Sequence, residues 1–189
     1  MRTNILWTGR EYYSLEDCVI LRSTTGLEID STIIGYYKGQ IYHVRYKIST
    51  SLTWRTKDVA IDYRLGHRSG HINLTSDFNG KWSLQNQPTS ELDGCVDVDI
   101  PLTPFTNTLP INRLNLSVGD ESTIKVVYID LFNNSIRAVN QRYQKIAGNS
   151  FHYENVPNDF EAVIEVDDAG LVIDYPSLFF RTAIDNLQY

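Results

Sequence analysis

Cysteine is nearly missing from this chain. Cys18 and Cys95 are the only two in 189 residues, too few and too far apart for a disulfide framework, and they read as reduced, buried thiols. No uninterrupted apolar run approaches membrane-spanning length, and the opening "MRTNILWTGREYYSLEDC" holds no apolar stretch fit for a signal peptide. A cytoplasmic location is the expectation. Positive charge is in deficit: 17 Lys and Arg stand against 23 Asp and Glu, for a net charge of −6 and a pI near 5.1. With no run of Lys or Arg, the sequence argues against duplex DNA and against anionic lipid surfaces. Nucleophile elbow, phosphate loop, dinucleotide fingerprint and zinc spacing are all absent, so no cofactor is expected. His67 and His71 in "GHRSGH" have no third metal ligand nearby in sequence, and a metal reading is discounted. No shift of composition divides the chain, which reads as one domain over residues 1–189.

What the chain does have is aromatic rings and alternation. Its 12 Tyr, 7 Phe and 3 Trp suit strands or ligand walls. In "QIYHVRYKIS" Tyr42, Val44, Tyr46 and Ile48 fall on one face, with His43, Arg45 and Lys47 on the other. "KDVAIDY" and "FEAVIEV" repeat the pattern. "STIKVVYIDL" is apolar on both faces around Val126 and Val127, which places it more centrally in a sheet. Turns are signalled by "YYKGQ", "DFNG" and "DDAG". One stretch, "NNSIRAVNQRYQKIAG", fits two periods: Ile136, Val139, Tyr143 and Ile146 recur at helical spacing, whereas alternation and the following "AGNS" fit a strand and hairpin. The fold class expected is mainly β, a single-domain antiparallel sheet of ten or so strands with little helix. Such strands twist and curl, and the concave side must hold a helix, side chains or a ligand.

The segment "GCVDVDIPLTPFTNTLPINRL" (residues 94–114) breaks the pattern. Asp97 and Asp99 lie on one strand face and Val96, Val98 and Ile100 on the other. Pro101, Pro104 and Pro110 lack amide hydrogens and bias their predecessors away from helix, so residues 100–109 are expected to form a stiff irregular crossing, neither helix nor paired central strand. One account has the two aspartates accepting hydrogen bonds from loop amides or Arg113. Another has them facing a cleft, about 7 Å apart, a separation that suits inverting glycoside hydrolysis.

This segment closely resembles the signature of the bacterial "putative glycolipid-binding" family. "LEDC", "YHVRYKI", "WRTKDVAI", "GKW", "NQRYQKI" and "FEAVIEVDDAGLVIDYPSLFFR" agree with it in order, over about Trp7 to Arg181. The resemblance implies a spiral β-roll or half-barrel related to the lipoprotein-localisation factors, and favours a strand for residues 141–146. Two positions depart from the family pattern: Asn112 and Lys57 each stand where arginine is expected.

An amphipathic ligand needs apolar walls and a few placed polar groups. The candidates here are Trp54 and Arg55 for stacking and hydrogen bonding to a sugar, then Asp97, Asp99, Thr106, Asn107 and Arg113 from the central segment, Gln141, Arg142 and Tyr143 from "NQRY", and Arg181, which alternatively pairs with a carboxylate of the central segment. The expected function is non-enzymatic binding of an amphipathic small molecule, a glycolipid by resemblance, in the concave face. The alternatives are a glycosyl hydrolase working through Asp97 and Asp99, and an interaction module without a small ligand.

Overall fold

The alternating segments pair into one sheet. In the computed structural model, which describes residues 1–187, strands β1 (Arg2–Gly9), β2 (Ser14–Arg22), β3 (Gly26–Tyr37), β4 (Gln40–Ser51), β5 (Thr56–Leu65) and β6 (Arg68–Ser76) follow as successive antiparallel hairpins. Two short strands, β7 (Trp82–Leu84) and β8 (Gln87–Thr89), end this arm. The second arm comprises β9 (Asp97–Asp99), β10 (Glu121–Asp130), β11 (Ser135–Ala147), β12 (Ser150–Val156), β13 (Glu161–Val166), β14 (Val172–Tyr175) and β15 (Phe179–Leu187). Pairing of β1 with β15 joins the arms, giving fifteen strands in the order β8-β7-β6-β5-β4-β3-β2-β1-β15-β14-β13-β12-β11-β10-β9. Only the β9–β10 contact is parallel among the described residues, and the strand number exceeds the ten or so expected.

Alternation places the core. Tyr42, Val44, Tyr46 and Ile48 of β4 are all fully buried, as their period requires. The ambiguous stretch is β11, laddered on both sides by β10 and β12. Its helical reading needed Ile146 in a core, but Ile146 is exposed while Gln141 and Tyr143 are buried. Each ladder takes the backbone groups of alternate residues, the two together satisfy the strand where both run, and period two prevails.

The central segment corrects an expectation. Residues 105–114 form a helix, α1 (Phe105–Leu114), in place of an irregular crossing. Pro104 stands at its N-cap, where a missing amide hydrogen costs nothing because the first turn has no intrahelical acceptor. Pro110 lies inside the helix and cannot donate to the Thr106 carbonyl, yet every residue from Phe105 to Ile111 is buried. Burial of Phe105, Leu109 and Ile111 contributes about 1.5–3 kcal/mol each, enough to offset one lost hydrogen bond.

Two apolar clusters result, with β10 between them. Val127 and Ile129 join Val98, Ile100, Phe105 and Leu109 against the inner faces of β1–β6. Ile124 and Val126 face the other way, onto Tyr143, Phe151, Tyr153 and Ile164. The sheet therefore winds until its β9–β10 edge is enclosed, a spiral roll whose interior is filled mainly by α1 and side chains. Cys18 and Cys95 are both buried and free.

Candidate functional site

The winding leaves one polar seam. Where β9 runs into α1, opposite β12, β14 and β15, a pocket of about 240 Å³ remains. Asp99 at the end of β9 lies beside Tyr128 of β10. Tyr153 and Asn155 come from alternate positions of β12, Tyr175 from β14, Phe179 from β15, Phe160 from the turn before β13, and Glu11 and Tyr12 from the β1–β2 turn. The rings form a connected wall: Tyr12 stacks on Phe179 at 5.7 Å, and Tyr153 meets Tyr175 edge-on at 6.1 Å.

Asp99 is the chemical centre. Gln141 Nε2 donates to its Oδ2 at 2.6 Å and Thr106 Oγ1 to its Oδ1 at 3.2 Å, and no cation pairs with it among the described residues. Burial pushes its carboxyl up to about 6, against the two hydrogen bonds that favour the charged form. Asn107, on the first turn of α1, borders the pocket and donates to the Tyr143 hydroxyl at 2.9 Å. Burial also raises Tyr12, Tyr128 and Tyr175, so their hydroxyls stay protonated donors. None of those three hydroxyls has a hydrogen-bond partner among the described residues. The arrangement offers a carboxyl acceptor without a cation, free hydroxyls and flat apolar faces within one small space.

Asp97 plays a different part. Its carboxylate is fully buried and held by Arg113, with Nε 3.1 Å from both oxygens and Nη2 2.6 Å from Oδ2. It pins α1 to β9 and lines no cleft, so the two aspartates do not form a catalytic pair. Asn112, where the resemblance led to the expectation of arginine, donates to the Thr108 and Ala169 carbonyls at 3.1 Å each, tying α1 to the β13–β14 turn.

Of the residues singled out from sequence, Asp99, Thr106, Asn107, Gln141 and Tyr143 meet here, with the Asp97–Arg113 pair alongside. The rest stand elsewhere. Trp54 occupies the β4–β5 turn at φ +64° and packs on the first cluster, and Arg55 donates to the Phe78 carbonyl in the β6–β7 turn. Arg142 points to the outer face, paired with Glu154 at 2.6 Å, because alternation sends it opposite to Gln141 and Tyr143. Arg181 pairs with Asp167 in the β13–β14 turn, not with a carboxylate of the central segment. His71 bonds Asp62 at 2.8 Å. His152, Glu154 and Glu161 converge within 4.8 Å, but Arg142 already neutralises Glu154 and the group does not suit a cation.

Sequence reasoning missed the aromatic wall, whose members come from separate strands and turns, and it missed Glu16. This fully buried carboxyl lies behind Thr103 of the pocket rim. It accepts three hydroxyls on Oε1, from Tyr46 at 2.6 Å, Ser31 at 2.7 Å and Thr103 at 2.9 Å, while Oε2 has no partner. Burial pushes it up to about 7 despite those bonds. The available signal was its place at an inward position of β2, between Ser14 and Cys18.

Solved structures share this architecture. A crystal structure of a DUF1089 family protein from Pseudomonas aeruginosa is 30% identical, with a TM-score of 0.80, covering 89% of this chain and 91% of that one. A beta-barrel-like protein of domain of unknown function DUF1849 from Brucella abortus superposes at a TM-score of 0.51 over 97% of this chain and 96% of that one, at 8% identity, a likeness of fold alone. A search of curated proteins gives no match. The family model described as "Putative glycolipid-binding" matches residues 4–181, and the chain belongs to that family.

Proposed function

We propose that this protein binds the carbohydrate head group of a glycolipid in the Asp99 pocket and performs no chemistry on it. The observation that carries the reading is the pocket itself, walled by aromatic rings around a half-buried, cation-free carboxyl. Ring faces suit the C–H surfaces of a sugar, and Asp99 with the tyrosine hydroxyls supplies acceptors and donors for its hydroxyl groups. At 240 Å³ the space falls below the roughly 300–1,000 Å³ of pockets that enclose drug-sized ligands, so one sugar ring is the fitting guest and acyl chains stay outside. Hydrolysis by paired carboxylates is disfavoured because Asp97 is occupied by Arg113.

Titration calorimetry with octyl glucoside and with free glucose tests the idea, followed by mapping on backbone amide resonances. Binding should perturb Asp99, Asn107 and Tyr175, and Tyr175→Ala should weaken it by about three- to tenfold through lost ring contact. Saturating sugar or glycoside that leaves the amides of this pocket unmoved would refute it.

A further inference from the structure

The opposite sign of charge gathers at one end of the molecule. Four turns meet there: β1–β2, β3–β4, β5–β6 and β10–β11. The last three border an open cleft of about 990 Å³ whose lining includes Lys38, Arg64, His67 and Arg68 and no aspartate or glutamate, and the β1–β2 turn stands beside it through the contact of Tyr12 with Tyr37. Among the described residues none of Lys38, Arg64 and Arg68 has a carboxylate partner. Lys38 sits over the Tyr37 ring, and Arg68 donates to the carbonyls of Leu131 and Phe132, which leaves its charge in place. In a chain of net charge −6 this is a local reversal. The linear sequence hides it, because Lys38 and the two arginines belong to different hairpins.

Apolar side chains crowd the same end on the outer face. Leu15 and Ile34 are cross-strand partners, as are Tyr36 and Ile41, and Tyr13 adjoins Tyr36 through a backbone hydrogen bond. All five are exposed, Tyr13 by 75%, Ile41 by 68% and Ile34 by 56%. A contiguous exposed apolar patch beside unpaired cations is costly in water and marks a contact surface. Isoleucine and tyrosine at hairpin tips can enter the headgroup region while Lys and Arg meet lipid phosphates. Acids stand at the rim: Glu11, within reach of the Tyr37 hydroxyl at 3.4 Å, Asp130, which accepts from the cleft-lining Asn133 at 2.7 Å, Asp62, two residues before Arg64 and bonded to His71, and Asp17, next outward on β2 after Leu15.

We infer that this hairpin-tip end docks on an anionic phospholipid surface, with Ile34, Tyr36 and Ile41 inserted and Lys38, Arg64 and Arg68 against the phosphates. A second copy is the poorer occupant, since a two-fold contact through this face sets the three cations against their equivalents. The patch also adjoins the pocket. Glu11 and Tyr12 of the β1–β2 turn border the pocket, and the rings of Tyr12, Tyr37 and Phe132 run from it to the cleft at 4.9 and 5.1 Å spacing. Docking would bring headgroups beside the pocket mouth, but the inference stands on the patch alone.

Flotation of the full chain with glycolipid-free vesicles tests it, comparing phosphatidylcholine alone with equal parts phosphatidylcholine and phosphatidylglycerol. Wild type should partition onto the mixed vesicles, and less so as salt rises. Replacing Lys38 and Arg64 together by Gln should weaken partitioning about thirtyfold, and Ile34→Ser with Ile41→Ser by at least about tenfold. These exposed changes should leave the unfolding midpoint unaltered, and Asp99→Asn should float like wild type, which separates this result from any failure of the pocket to bind sugar. Wild type that ignores the mixed vesicles, variants that bind as well as it does, or a solution dimer dissolved by Ile41→Ser would each overturn the inference.

Discussion

Replacing Glu16 by glutamine isolates the cost of a carboxylate held away from water. Its ordinary value of 4.5 rises to about 7 in the fold, which corresponds to about 3 kcal/mol of preference for the protonated form. The folded chain thus holds this proton more tightly than the unfolded chain does. The corresponding stability is fully present below about pH 4.5 and is lost as the pH climbs to about 7. Glutamine has no such dependence, and its amide oxygen can accept the hydroxyls of Ser31, Tyr46 and Thr103 as Oε1 does. The variant should therefore match wild type, or fall slightly below it, at about pH 4, and exceed it by up to about 3 kcal/mol at about pH 8. Urea unfolding at a series of pH values measures the difference directly. Taking the difference cancels other groups, among them Asp99, which carries the same sign, and Asp30 and Asp77, whose depressed values carry the opposite one. A difference that stays flat with pH would show that Glu16 is not buried in this way.

The other predictions concern named contacts. Arg113→Ala strands the buried Asp97 carboxylate and should cost about 3–5 kcal/mol in denaturant unfolding, whereas Asp97→Asn with Arg113→Met, which removes both charges, should recover part of that loss. Gly35→Ala should cost about 1–3 kcal/mol, because a Cβ there would sit 2.6 Å from ring atoms of the fully buried Tyr42, its cross-strand partner; a wild-type midpoint would contradict the packing. If Asp99 accepts sugar hydroxyls as a carboxylate, glycoside affinity should rise as the pH passes upward through about 6, and calorimetry of Asp99→Asn should show that rise abolished.

Much of the sheet was legible because a half-buried strand writes its environment into every second residue. β4 reads directly, and the "DFNG" and "DDAG" turns fall where expected, with Gly80 and Gly170 at positive φ. Helix α1 was not legible. Proline argues against helix on local grounds, and only the burial of a whole turn on two packed elements reverses that judgement. The same segment gave the site residues Asp99, Thr106 and Asn107, and alternation on β11 supplied Gln141 and Tyr143 while sending Arg142 outward. The aromatic wall and the cationic tip cluster depend on which distant hairpins become neighbours, and no local pattern encodes that.

The pairing of β1 with β15 sets Arg2 opposite Leu187 and Gly9 opposite Phe179. Every intervening strand leaves the ribosome before β1 can acquire this neighbour. Until then an eight-residue edge carrying Ile5 and Trp7, laddered to β2 on one side, has the backbone donors and acceptors of its other side open to any passing extended peptide. Synthesis speed and chaperone cover, more than final stability, would then set how much of this protein escapes aggregation.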